Sequence, residues 1–206
     1  IFREFKETKI DFSLLKTRRG FIVNNYVMGI SGRASSTIDK LVIAPLLGFA
    51  LLGNYSLALQ LFVILLIVPT IIYKYLLPLD SSGVLNKKLR QTTITLSVGI
   101  AVLGIVLFPY VIPNFFPKFI DAIDAIQIMS IAIIPATITL LYTSKLLGLE
   151  KSKFVLTAQI ISASTLIAGF IILGPVFGIM GLASVFVLSV TLEAVLLLCI
   201  TKIKKF

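Results

Sequence analysis

Four stretches of this sequence carry no charged residue at all: Leu41–Tyr73 over 33 residues, Gln91–Pro117 over 27, Ala125–Ser144 over 20 and Phe154–Leu192 over 39. A helix needs roughly 20 apolar residues to cross a hydrocarbon core. Within lipid every backbone polar group must be satisfied inside the chain, so helices or a closed barrel are the available solutions. The alternating segments of about ten residues that mark a barrel are absent. Composition agrees, with 58% hydrophobic and 14% charged residues against about 25% charged in soluble domains. The sequence predicts an all-α polytopic membrane protein.

Punctuation between the runs places six spans, at Gly20–Val42, Asn54–Pro78, Leu89–Ile112, Asp121–Leu147, Ser152–Gly174 and Gly178–Thr201. LDSSGVLNKKLR, PNFFPKF, GLEKSK and the short GPVFG turn separate the later spans. The first junction, IAPLLGFALLG, is apolar, and Pro45, Gly48 and Gly53 interrupt what would otherwise be one very long helix. Pro69 and Pro135 fall inside spans and predict kinks.

Basic residues in short loops fix orientation. With six spans, fourteen of the 19 Lys and Arg residues fall on one side and only Lys40 and Lys118 on the other. Arg33, Lys74 and Lys145 remain inside spans. Both ends of the chain are therefore expected in the cytoplasm, and the net charge of +10 is accounted for by topology and by anionic membrane lipids. No nucleic-acid partner is expected. Residues 1–19 mix Phe2, Phe5, Ile10 and Phe12 with bases and read as a cytoplasmic linker or an amphipathic interfacial helix. The opening at Ile1, charged and unlike a signal peptide, reads as a piece of a longer protein. With one cysteine and no histidine, the chain has no internal disulfide, no imidazole proton shuttle and none of the commonest metal ligand.

The intramembrane charges are the main lead to function. Arg33 lies about 13 residues into the first span, roughly 20 Å at 1.5 Å per residue, past the middle of a core about 30 Å thick. Such an arginine costs at least about 2.5 kcal/mol on insertion scales and should face protein or water. Asn25, Tyr26, Gly29, Ser36, Thr37 and Lys40 share its side of the helix. Guanidinium matches phosphate oxygens in a bidentate way, so Arg33 is a candidate anion site; the alternative is a contact that ties two spans together. Lys74 shares a face with Gln60 and is either a second cation of that site or a side chain snorkelling to the interface. Lys145 has the same two readings. Glu193, the one acid inside the sixth span, is a proton or cation site or a charge partner of Lys145 or Lys74.

The ordered features resemble a known family. STIDKLVIAPLLGFALLGNYSLALQL is similar to its Asp-basic pair, apolar re-entry and Gly-x-Tyr-Ser-x-Ala helix start. FPKFIDAIDAIQIMSIAIIP resembles its aromatic loop and Ala-rich helix, LLGLEKSKF its small-to-basic turn, and LGPVFGIMGLASVFVLS its Pro-x-aromatic-Gly hairpin. The family is the Wzx-type polysaccharide flippases, the O-antigen and capsule transporters of the multidrug/oligosaccharidyl-lipid/polysaccharide superfamily. The resemblance implies a C-terminal six-helix lobe whose N-terminal partner lobe precedes it, alternating access, and residence in the cytoplasmic membrane. The implied substrate is an anionic polyprenyl-pyrophosphate-linked oligosaccharide. Arg33, Ser36, Thr37, Lys74 and Gln60 would be the substrate-binding residues, with Glu193 and Lys145 an ion-coupling or charge-pair set. No cofactor is implied beyond coupling to an H⁺ or Na⁺ gradient, and no enzymatic activity. A multidrug or cation antiporter of the same superfamily and a peptidoglycan lipid-precursor flippase are the close alternatives. A membrane enzyme or a structural membrane protein is more distant. An enzyme would want a base or metal cluster, and the nearest acid pair, Asp121 and Asp124, stands beside Lys118 without nucleotide-binding features.

Overall fold

A computed structural model describes Lys16 and residues 18–83 and 86–203; for residues 31–36, 38 and 39 it describes the backbone alone. The expected linker or interfacial helix at residues 1–19 lies almost wholly outside the described residues. Every regular element among them is helical: α1 (Arg19–Leu47), α2 (Phe49–Leu65), α3 (Ile67–Ser81), α4 (Lys87–Phe115), a 3-10 turn (Pro117–Phe119), α5 (Ala122–Ile131), α6 (Ile133–Gly148) and α7 (Ser152–Ile203). Two of these helices, α4 and α7, are long and apolar enough to cross a membrane, and up to four elements are if each bent pair is one span.

The bent pairs have a common cause. Helices α2 and α3 meet at 49° and α5 and α6 at 44°, at Leu66 and Ala132. Pro69 and Pro135 stand three residues beyond these joints. A proline has no N–H for the carbonyl four residues back and its ring clashes with that carbonyl. Those carbonyls belong to Leu65 and Ile131, the last residues of α2 and α5. Two of the spans expected as single helices are therefore each built from two.

Helix α7 runs for 52 residues, about 78 Å at 1.5 Å per residue, but it doubles back. Gly178 has φ 56° and ψ −134°, a conformation open mainly to glycine. The two arms, 152–177 and 179–203, then pack antiparallel. A Cβ on Gly181 would lie 2.5 Å from the Leu173 carbonyl oxygen, and one on Gly174 3.3 Å from Leu182 Cδ2. Farther from the turn, Ser162 Oγ donates to the Ser189 carbonyl at 2.9 Å. Small residues let the two backbones approach where there is little hydrophobic drive between helices. At the other apolar junction, Gly48 takes φ 86° between α1 and α2.

The core lies around α5. Ala122, Ala125, Ile126 and Met129 are fully buried, because α5 is enclosed by α2, α4 and α7. Two edge-to-face ring pairs bind α2 to the α7 hairpin: Tyr55 with Phe170, centroids 5.5 Å apart, and Phe62 with Phe186, 4.9 Å apart. Outward, α4 exposes Val98, Val102, Leu103, Val106 and Leu107, an apolar face suited to lipid rather than water. The starts of α1, α4 and α7 and the ends of α3 and α6 gather at one end of the bundle, where Arg18 pairs with Glu150 at 3.1 Å.

Candidate functional site

Helix α1 packs against α7 and α2, and its outward side is mixed, with Ile22, Val23, Val27 and Ile30 exposed beside Tyr26. Asn24 on the inner side donates to Ser152 Oγ at 3.3 Å. Its neighbour Asn25 turns away with Tyr26, Gly29 and Ile30, and these four line an open cavity of about 280 Å³. Tyr26 is 72% exposed, so the tyrosine is not part of the packed core. Arg33 follows Gly29 by four residues, one helical turn farther along the same stripe. The side chains of Arg33 and Ser36 lie outside the described residues. Thr37 and Lys40, farther along, are exposed.

Lys74 and Gln60 are both exposed, on a flank with Val63, Ile67 and Ile71. Neither lines the α1 cavity. Glu193 is half-buried in the second arm of α7, where its carboxyl group meets the Ser162 hydroxyl of the first arm. The Arg18–Glu150 and Arg90–Asp80 ion pairs lie elsewhere, where α1, α4 and α7 begin. Among the described side chains, Thr37 on α1, Lys74 with Gln60 on the α2–α3 flank, and Glu193 in α7 thus stand in three separate places.

A fourth place brings charges together where the sequence suggested only a loop. Asp80, near the end of α3, is 5% exposed. Its Oδ2 accepts from Arg90 Nη2 at 2.5 Å and from Ser144 Oγ of α6. Arg90 Nη1 donates to the Leu141 carbonyl at 2.7 Å. Gly148 makes the approach possible, since a Cβ there would stand 2.7 Å from the Asp80 carbonyl carbon. Asn86 begins α4 by accepting from Leu89 N–H at 3.0 Å, which sets Lys87 and Arg90 on the first turn. Between α4 and α6 lies a cavity of about 280 Å³ lined by Lys87, Arg90, Gln91 and Ile94 on one wall and by Leu141, Tyr142 and Lys145 on the other. Lys145 therefore belongs with Lys87 and Arg90. One signal for this was present in the sequence: in LDSSGVLNKKLR, Asp80 is the sole acid beside three bases.

At the opposite end Asn54, Asp121 and Asp124 share a cavity of about 390 Å³ with Leu47, Leu51 and Ile179. The acid pair thus sits at a helix junction, among apolar neighbours. No protein-family model matches the chain, and neither a curated protein nor a solved structure matches it.

Proposed function

We propose that the chain is one six-pass lobe of a flippase in the cytoplasmic membrane, which moves an anionic polyprenyl-pyrophosphate-linked oligosaccharide by alternating access with a second lobe. Six passes require α1 and each arm of α7 to cross separately, in addition to α4 and the two bent pairs; of these elements α4, α7 and the bent pairs are long and apolar enough. The observation that carries the reading is a narrow stripe on α1 that runs from Asn25 through Gly29 to Arg33 at intervals of four residues. A span with Asn25, Tyr26 and Gly29 around an open cavity, and Arg33 in the next turn, suits a water-filled path better than lipid. A sugar–pyrophosphate headgroup cannot cross hydrocarbon unaided, and a guanidinium is well shaped to hold its phosphates. The lipid tail would remain in the bilayer. Two bent spans with Pro69 and Pro135 just beyond the bends are compatible with segments that shift during transport.

Glu193 beside Ser162 is the candidate for coupling to H⁺ or Na⁺. It also supports a second reading, a cation antiporter of the same superfamily, which needs an acidic group at depth. The positive charge at Arg33 favours an anionic cargo over a cationic drug.

The test is complementation of a strain lacking its own polysaccharide flippase, using the complete coding sequence. Arg33→Ala should abolish surface polysaccharide while the protein still inserts in the membrane. Normal surface polysaccharide from Arg33→Ala would remove Arg33 from the transport path.

A further inference from the structure

We infer that the cavity between the start of α4 and the end of α6 is a binding site for the phosphate headgroup of an anionic membrane lipid, distinct from the α1 stripe. Three cations line it: Lys87, Arg90 and Lys145. None of the described residues that line it is acidic; Asp80, behind Arg90, has its Oδ2 occupied by Arg90 and Ser144.

Arg90 is held in place before any ligand arrives. Asp80 takes one of its terminal nitrogens and the Leu141 carbonyl the other, while its buried Nε has no hydrogen-bond partner. A cation fixed in this way loses little freedom when an anion binds. Lys87 and Lys145 stand on opposite walls, so a phosphate between them would meet positive charge from both helices.

The walls also change character with depth, and this selects an amphiphile over a soluble anion. On α4, Lys87, Arg90 and Gln91 give way to Ile94. On α6, Lys145 gives way to Tyr142 and Leu141. Four residues of helix are about 6 Å of depth, so both walls pass from cationic to apolar or aromatic within one turn. A free phosphate would use only the charged rim. A phospholipid would use the rim for its headgroup and Ile94 and Tyr142, both partly exposed, for the first part of its acyl chains. This end of the bundle is also the one that the basic-residue asymmetry assigns to the cytoplasmic leaflet, where anionic lipids give the surface its negative potential.

Native mass spectrometry of the complete protein, released from micelles doped with phosphatidylglycerol or phosphatidylcholine, tests the site. Phosphatidylglycerol should be retained preferentially. Each basic residue near an anionic lipid contributes enough that Lys87→Gln should weaken retention about fivefold and the Lys87→Gln/Lys145→Gln pair about thirtyfold. Lys87 is exposed, so its substitution keeps the test valid even where the double variant fails to fold. Lys151→Gln/Lys153→Gln, at the same end but outside the cavity, should leave retention unchanged. Equal retention of phosphatidylcholine, or an equal loss from the Lys151/Lys153 variant, would overturn the proposal in favour of diffuse attraction. Displacement of the lipid by inorganic phosphate at comparable concentration would overturn the lipid assignment and leave a small-anion site.

Discussion

Removal of the Asp80 carboxylate is the perturbation whose consequence follows most fully from the geometry. Asp80 is 5% exposed and serves two donors, Arg90 and Ser144, through a single oxygen. Asp80→Ala leaves Arg90, whose side chain is only 15% exposed, with the Leu141 carbonyl and with Lys87 and Lys145 for neighbours. Breaking a buried pair from one side typically costs about 3–5 kcal/mol, because the remaining charge is uncompensated. Arg90 retains a path to water through the cavity, which places the expected loss near the lower figure, about 3 kcal/mol. Removing both charges should cost much less than the sum of the single losses. The Asp80→Asn/Arg90→Gln pair is expected to show a coupling of about 2 kcal/mol in a double-mutant cycle. Ser144→Ala, which removes one neutral donor, should cost about 1 kcal/mol. Unfolding in mixed micelles with increasing denaturing detergent measures these variants and the two single members of the cycle. A loss below about 1 kcal/mol for Asp80→Ala, or strict additivity in the cycle, would show that the pair behaves as an exposed one and would refute the buried network.

Two further outcomes can be measured by the same unfolding transition. Gly148→Ala places a methyl group 2.7 Å from the Asp80 carbonyl carbon and 2.8 Å from its Cβ; backbone cannot yield as a side-chain tip can, so a loss of about 1–3 kcal/mol is expected. A wild-type transition would mean that α3 and α6 are farther apart than described. Glu150 has φ 57° in the turn after α6, where Lys151 N–H bonds back to Leu146 and Glu150 N–H to Leu147. A left-handed non-glycine residue costs about 1–2 kcal/mol, while its exposed pair with Arg18 gives back less than about 1 kcal/mol. Glu150→Gly should therefore leave stability unchanged or raise it slightly, and a clear loss would show the ion pair to be stronger than its exposure implies.

The sequence made the helical class legible because a charge-free run of 20 to 39 residues has few other ways to satisfy its backbone in lipid. It also made the breaks legible wherever a residue imposes them through its own covalent geometry. Pro69 and Pro135 act on carbonyls four residues away, and Gly178 turns the chain within its own two dihedrals. The Asp80 network was not legible. It joins positions 10 and 64 residues apart, and only the packing of α3 on α6 at Gly148 brings them together. In the sequence Asp80 looks like part of a loop and Arg90 like one more basic residue at a span end, because each is ordinary in its own local context. Lys145 shows the same limit: its place in a span was visible, but its cationic neighbours lie on another helix. Arg33 differs again, since helical spacing alone puts it on the stripe of Asn25, Tyr26 and Gly29.

The central claim, that the polar stripe of α1 carries an anionic headgroup through the membrane, is tested most directly by translocation in proteoliposomes. The complete protein would be reconstituted with a fluorescent polyprenyl-pyrophosphate-linked oligosaccharide, and the arrival of headgroups in the outer leaflet followed by quenching with a membrane-impermeant reductant. A hydrogen bond to a charged group is worth about 1.5–3 kcal/mol, so Arg33→Ala should slow translocation by about tenfold or more, with Lys87→Gln close to wild type. Translocation by Arg33→Ala at the wild-type rate, or none by the wild-type protein above empty liposomes, would contradict the account.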